Sequence, residues 1–226
     1  MAKITTINEA VSLVKDGMTI MVGGFLGCGA ADKALHALAQ TDVKDLTVIC
    51  NDGGLPGGRL LGVQELIHNG QVKHLIATHI GMNKEVGQMM NEGTMKVTLV
   101  PQGSMAEKIR AGGFGLGAVL TPTGLGTPVG VGAEDAAGGI KESIVIDGKE
   151  FLIERPLHAD VAFVYGSVAD KYGNVKIHGT ARNMNIVMAS AADTVICQAD
   201  ELIEMMDPDE VLIPGVLVDY IVGGKN

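Results

Sequence analysis

Tryptophan is absent from this chain, and phenylalanine and tyrosine bring aromatics to only 3% of its residues. That leaves too few rings for the stacking platforms that hold single-stranded nucleic acid. Positive charge is also in deficit: 17 Lys and Arg face 26 Asp and Glu, and a net charge of -9 repels a phosphate backbone. No nucleic acid is expected as a partner. Cysteine is sparse, with Cys28, Cys50 and Cys197 far apart and in no C-x-x-C pair. This argues against a disulfide framework and a cysteine zinc site, and no metal is expected. No apolar run reaches the ~20 residues that cross a bilayer. The N-terminal Met1-Ala2-Lys3-Ile4 leads straight into an amphipathic segment with no basic leader and no apolar h-region. These absences point to a cytoplasmic protein without a membrane partner.

What is plentiful is glycine, 32 in 226 residues, in a chain that is 46% hydrophobic and 19% charged. This is globular composition with many sharp turns, and the length suffices for one domain spanning 1–226.

The chain opens on a capping-box pattern, Thr6-Ile7-Asn8-Glu9, followed by apolar residues at helical spacing, Ile7, Ala10, Val11 and Val14. A helix ending near Asp16-Gly17 is expected. Next, a unit recurs: a β-branched apolar run, a small or polar loop, then a helical pattern. Strands are expected at 19–22, 46–50, 75–78 and 97–100, and helices at about 32–40, 61–69, 83–91 and 104–111. This alternation marks a three-layer α/β fold, a largely parallel sheet with helices on both faces. Ligands of such sheets bind beyond the carboxyl ends of the strands, where Gly23-Gly24-Phe25, Asn51-Asp52, His79 and Gln102-Gly103 fall. Residues 112–139 are dense in Gly and Pro, too long a stretch for an ordinary connection, and so either functional or mobile. A hairpin is expected over 143–153, with further strands at 161–164, 175–177 and 195–197 and a helix at about 183–191.

The segment Asp16-Gly17-Met18-Thr19-Ile20-Met21-Val22-Gly23-Gly24-Phe25-Leu26-Gly27-Cys28-Gly29 is a strand breaking into a glycine loop. Such loops let backbone N–H groups approach an anion, although a tight strand-to-helix turn needs the same residues. Ala30-Ala31-Asp32 after the loop lacks the third glycine of a dinucleotide fingerprint. Gly148-Lys149 and Gly224-Lys225 lack the Ser or Thr of a P-loop. Cys28 is read as packing, Asn91-Glu92-Gly93 as a capped helix end, and Glu134-Asp135 as solvated loop charge. His36, His68 and His74 lack metal spacing and read as structural or surface residues. The methionines, Met21 and Met188 among them, read as core or subunit contacts.

Residues 16–29 resemble the first signature of the family I CoA-transferases, with Ala31 where the family has Pro. The resemblance continues through Asn51-Asp52, Thr78-His79-Ile80-Gly81, Val100-Pro101-Gln102-Gly103-Ser104, Ile109-Arg110-Ala111-Gly112-Gly113, Thr121-Pro122-Thr123-Gly124, Glu154-Arg155-Pro156-Leu157, Ala181-Arg182-Asn183 and Pro214-Gly215. These blocks look like the alpha subunit of acetate, acetoacetate or butyrate CoA-transferases. The resemblance implies ping-pong CoA transfer between a short-chain acyl-CoA and a carboxylate, through a glutamyl-CoA thioester on a beta subunit in a heterotetramer or larger assembly. The family's Ser-Glu-Asn-Gly setting for that glutamate is absent here, so no catalytic nucleophile is expected in this chain. It would contribute an oxyanion loop from the N–H groups of Gly23, Gly24 and Phe25, and CoA contacts from Gly23, Gly24, Phe25, Leu26, Gly27, Cys28 and Gly29. Asn51, His79, Gln102 and Gly103 would orient the carboxylate, unless they merely cap helices or close turns. CoA enters as a substrate, with no tightly bound cofactor. Two rivals share the glycine loop: a non-catalytic CoA- or anion-binding regulator, and a self-sufficient enzyme of the sugar-phosphate isomerase type.

Overall fold

The computed structural model describes residues 2–55 and 62–225. In chain order its elements are β1 (Lys3–Ile4), α1 (Ile7–Val11), β2 (Thr19–Val22), α2 (Asp32–Ala39), β3 (Leu46–Cys50), α3 (Val63–His68), β4 (Val72–Ala77), α4 (Lys84–Glu92), β5 (Lys96–Leu99) and α5 (Gln102–Gly113). There follow β6 (Val119–Thr121), β7 (Glu142–Ile146), β8 (Lys149–Glu154), β9 (Ala159–Asp170), β10 (Val175–Lys176), α6 (Asn185–Met188), β11 (Ala192–Ile203) and β12 (Tyr220–Lys225).

The main sheet runs β1-β12-β11-β9-β2-β3-β4-β5, all neighbours parallel, with β10 antiparallel on β9. Parallel strands buried on both faces read as continuous apolar runs, and side-chain alternation divides them between two cores. Ile20, Val22, Val48, Leu75 and Phe163 face α1, α2 and α3, which bring Ala10, Leu35, Leu38 and Leu66. Met21, Ile49, Ile76, Ala162 and Cys197 face α5 and α6, which bring Met105, Ile109 and Met188. Buried this way, the Cys197 thiol is pushed up to about 12. Three layers result, as the alternating pattern indicated. Chain direction matters more for function. From β2 the chain steps outward through β3, β4 and β5, and from β9 it steps the other way through β11 and β12. The switch point therefore lies between β2 and β9.

Several expected boundaries shift. The helix foreseen up to Asp16-Gly17 stops at Val11, although its capping box forms as expected: the Thr6 hydroxyl accepts from the Glu9 N–H, and the Glu9 carboxylate accepts from the Thr6 N–H. Tight bonds from Leu13 N–H to Ala10 O and from Val14 N–H to Val11 O then turn the chain while still burying Val14, so the apolar spacing outlasts the helix. The helix foreseen over 183–191 is only Asn185–Met188. Residue 61 of the helix foreseen over 61–69 lies outside the described residues.

The reading of Glu134-Asp135 as solvated loop charge holds for the exposed Glu134 and fails for Asp135. Glu134 pairs with Lys96 across the sheet's start, and Asp135 is fully buried beside Lys108. The Lys108 ammonium on α5 donates to Asp135 Oδ1 and to Glu154 Oε2, each at 2.7 Å. Lys141 Nζ donates to the other Glu154 oxygen at 2.7 Å and to Val129 O at 3.1 Å. This four-membered network fastens part of the glycine-rich stretch, together with the antiparallel sheet β6-β8-β7, onto α5. Part of the 112–139 stretch is thus a clamped segment. Burial would raise the Asp135 carboxyl, but bonds from Lys108 and from the Ala137 and Arg155 N–H groups outweigh it and hold the group below its ordinary value.

Removing one partner of a buried ion network typically costs about 3–5 kcal/mol, and we expect that loss for Lys108→Met in urea unfolding. A carboxyl held low in the fold contributes stability that is present above its unfolded value of about 3.9 and disappears as pH falls through the lower folded value. Asp135→Asn is therefore expected to be less stable than wild type at pH 7, with the gap closing below about pH 4. A gap constant with pH would show that the charge of Asp135 contributes nothing.

Candidate active site

The glycine loop leaves β2 at the switch point, where open α/β sheets take their ligands. Gly23 extends the sheet, its N–H bonded to Phe163 O at 3.0 Å. Gly23 has no room for a side chain, because a Cβ there would stand 1.8 Å from Asn185 Oδ1. Asn185, fully buried, accepts from the Tyr165 N–H and donates to Gly29 O at 2.9 Å. Asn183 Oδ1 accepts the Gly24 N–H at 3.1 Å, and its Nδ2 donates to Cys28 O at 3.1 Å. Phe25 and Cys28 exchange N–H and C=O bonds, and the Leu26 N–H is taken by Asp52 Oδ2 at 2.9 Å.

Gly23, Gly24 and Phe25 therefore donate inside the chain, and the expectation that their N–H groups face an oxyanion is corrected. A strand end, an asparagine and a four-residue turn use them up. Within residues 23–29, the N–H groups of Gly27 and Gly29 have no acceptor among the described residues. Cys28, read from the sequence as packing, is exposed, with its Sγ 3.2 Å from Thr180 Oγ1. Under the loop, a cavity of about 20 Å³ bounded by Gly24, Gly27, Asn51 and Asp52 has room for roughly one water and no more. Open space lies outside it, in a groove of about 950 Å³ lined by Cys28, Gly29, Tyr165, His178, Thr180 and Asp200. There the Tyr165 hydroxyl donates to Asp200 at 2.5 Å, and partial burial with this bond raises the phenol above its ordinary value.

On the other side of the loop the ends of β3, β4 and β5 converge. Asn51 is buried, with Nδ2 donating to Asp52 Oδ2 at 2.9 Å and Oδ1 accepting from Gln102 Nε2 at 2.7 Å. The Thr78 hydroxyl adds a bond to Asn51 O. His79 pairs with Asp52 as a bridge between strands and stands edge-on to the exposed Phe25 ring, centroids 6.1 Å apart. Gln102 and Gly103 open α5 and are exposed. The structure thus gathers Phe25, Asn51, His79 and Gln102 on one side. It buries Asn51 too deeply for direct contact with a ligand. The sequence assigned no role to Asp52, Asn183 or Asn185. Their buried or bridging positions join parts of the chain far apart in sequence, although Asp52 and Asn183 stand in motif segments.

A sequence profile described as coenzyme A transferase matches residues 4–224. The chain belongs to the coenzyme A transferase family. Among curated members, it is 44% identical to the acetate CoA-transferase subunit alpha of Escherichia coli K12, over 97% of this chain and 96% of that one. It is 45% identical to the acetoacetyl-CoA:acetate/butyrate CoA transferase alpha subunit of Clostridium acetobutylicum, over 98% and 97%. Solved structures agree on the fold. Glutaconate coenzyme A-transferase from Acidaminococcus fermentans matches with a TM-score of 0.83 at 20% identity, covering 98% of this chain and 75% of that one. An acyl-CoA transferase from E. coli O157:H7, in a thioester complex with CoA, gives 0.84 at 23%, covering 98% and 47%. This chain therefore spans about half the length of that coenzyme A transferase.

In this coenzyme A transferase chain the place of the family's Pro is taken by Ala31, buried at the N-cap of α2. Glu92 ends α4 under a Gly93 cap with φ of 71°, a helix end as the sequence indicated. The Asn185 contacts predict that Gly23→Ala, by forcing that side chain off its partners, costs about 1–3 kcal/mol of stability, the usual range for overpacking. A thermal midpoint equal to wild type would show that the loop is not pinned there.

Proposed function

We propose that this chain is the alpha subunit of a two-subunit CoA-transferase that moves CoA between a short-chain acyl-CoA and a free carboxylate of the acetate, acetoacetate or butyrate type. The observation that carries this reading is an asymmetry at the strand ends. Around Gln102, among the described residues, donors stand beside an acid, Asp52, whose two oxygens are both already engaged, whereas Asp200 and the exposed Glu201 line the separate groove beside Gly29. Gln102 has one amide N–H committed to Asn51 and the other without an acceptor among the described residues, and the backbone N–H groups of Gly27 and Gly29 likewise have none there. Asp52, the acid of this cluster, already accepts from the Leu26 and Gly54 N–H groups and from Asn51 Nδ2, each at 2.9 Å. A buried carboxylate held by three donors is a poor nucleophile. The attacking glutamate belongs to a beta subunit, which forms the acyl anhydride and then the glutamyl-CoA thioester.

The alpha side stabilises the negative charge of each tetrahedral intermediate, chiefly through the open N–H of Gln102, a service that typically contributes about 2.7–4 kcal/mol per donor. The Gly27–Gly29 end of the loop, beside the large groove, meets CoA, which is a substrate and not a resident cofactor. His79 and Phe25 border the acyl group. The small antiparallel sheet supports association: register puts Leu120, Ile144 and Ile146 on one exposed face, the kind of apolar surface that assembly covers.

The test is CoA transfer from acetoacetyl-CoA to acetate and butyrate, by the chain alone and by the chain assembled with a Ser-Glu-Asn-Gly-bearing partner of the family. Transfer by the pair alone is expected. Turnover by the isolated chain would overturn the division of roles.

A further inference from the structure

Resting on the donor role given above to Gln102, we infer that Asp52 is a positioning residue that acts through Asn51 to point the Gln102 amide. The argument is one of hydrogen-bond polarity. An amide side chain has a donor end and an acceptor end of nearly equal size, so nothing in its shape decides which way it faces. A carboxylate has no such ambiguity, because it only accepts. Asp52 is 6% exposed, and its position is fixed by the Leu26 N–H on Oδ2 and the Gly54 N–H on Oδ1. The group facing Oδ2 from Asn51 must therefore be the NH₂ end, at 2.9 Å.

That choice propagates. With Nδ2 on Asp52, Asn51 turns Oδ1 toward Gln102, and the Gln102 group meeting it at 2.7 Å must be Nε2. The Thr78 hydroxyl, 3.3 Å from the same Oδ1, favours the same polarity. One Gln102 N–H is used in this bond, and the other leaves the same nitrogen with no acceptor among the described residues. The negative charge that orients this chain of amides thus sits two side chains away from the proton donor it serves. Both Asp52 and Asn51 are buried, at 6% and 2% exposure.

Asp52→Asn keeps the shape and removes the polarity. With its oxygen at the Oδ2 site, the new amide faces the Gly54 N–H donor to donor. With its oxygen at the Oδ1 site, it faces the Leu26 N–H donor to donor and drives Asn51, and then Gln102, to flip, so that Gln102 presents Oε1 to Asn51. Either arrangement costs something, and the second turns the catalytic amide around. A side chain that only braces two loops would behave differently, because its loss would act equally whether or not Gln102 is present.

The experiment is a double-mutant cycle in the assembled two-subunit enzyme, with Asp52→Asn, Gln102→Ala and the pair, each checked by thermal unfolding and assayed for kcat and KM with both substrates. Gln102→Ala is expected to lower kcat about 100-fold, as loss of one oxyanion donor does. We expect Asp52→Asn to lower kcat at least about tenfold with KM nearly unchanged, and to lower it less than about twofold further when Gln102 is already Ala, the non-additivity of groups acting in series. An equal loss in both backgrounds, or none in either, overturns the positioning role while leaving Gln102 as donor. Wild-type kcat in Gln102→Ala overturns the donor reading and the positioning role with it, as does a wild-type pair that transfers no CoA.

Discussion

The interior placement of Glu154 between two lysines constrains the rest of this molecule. An isolated buried charge is very costly, and the network is tolerable because each Glu154 oxygen has its own ammonium, while Lys108 also reaches Asp135. These residues come from α5, from the segment around residue 135, from the approach to β7 and from the end of β8. The bonds can all form only when α5, the glycine-rich stretch and the small sheet stand in one arrangement. The same helix begins at Gln102, six residues before Lys108, and at the 1.5 Å rise of an α-helix that is about 9 Å away. The network therefore helps fix α5, whose first residue is Gln102.

Polarity at the strand ends is settled by a second buried acid, of opposite style. Glu154 is neutralised by cations, whereas Asp52 is held by neutral donors: two backbone N–H groups and one amide. The difference suits location. Paired with a cation, an acid at the strand ends would lose the field that aligns its neighbours. Hydrogen-bonded only to neutral groups, it can impose direction on Asn51. Its charge also adds to burial in pushing up the adjacent Cys50 thiol, which leaves that sulfur inert beneath the loop.

The sequence made the β2–β5 half of the sheet readable because each of those strands is a short apolar run closed by a polar or glycine loop, and Thr19–Val22 and Leu46–Cys50 appear with the limits their residues suggest. It was less informative for β9 and β11, at 12 residues each far longer than their apolar cores at 161–164 and 195–197, because their polar ends are carried by pairing with each other. The ionic network was illegible, since its partners stand 13 to 46 residues apart and leave no local pattern. Asp135 looked like loop charge for that reason. In the site, the glycine loop and the residues at the strand ends were legible from type and position. Which N–H groups remain free was not, because that depends on Asn183 and Asn185, some 160 residues downstream of the loop they hold.

The saturation of the loop bears on how a two-chain site can work. A loop with several idle donors would pay desolvation and ordering costs each time a ligand arrived, or would collapse onto itself in its absence. Here Gly23, Gly24 and Phe25 spend their N–H groups on holding the backbone, and Asp52 spends its oxygens on orienting amides, so what remains open is small in number and rigid in direction. Preorganised donors of this sort contribute most where little reorganisation is needed at the moment charge develops. On the reading proposed above, the attacking carboxylate sits on a different chain. Association then brings a negative nucleophile to a surface whose adjoining acid, Asp52, already accepts three hydrogen bonds, and Gln102 offers a fixed N–H to the charge that develops on the intermediate.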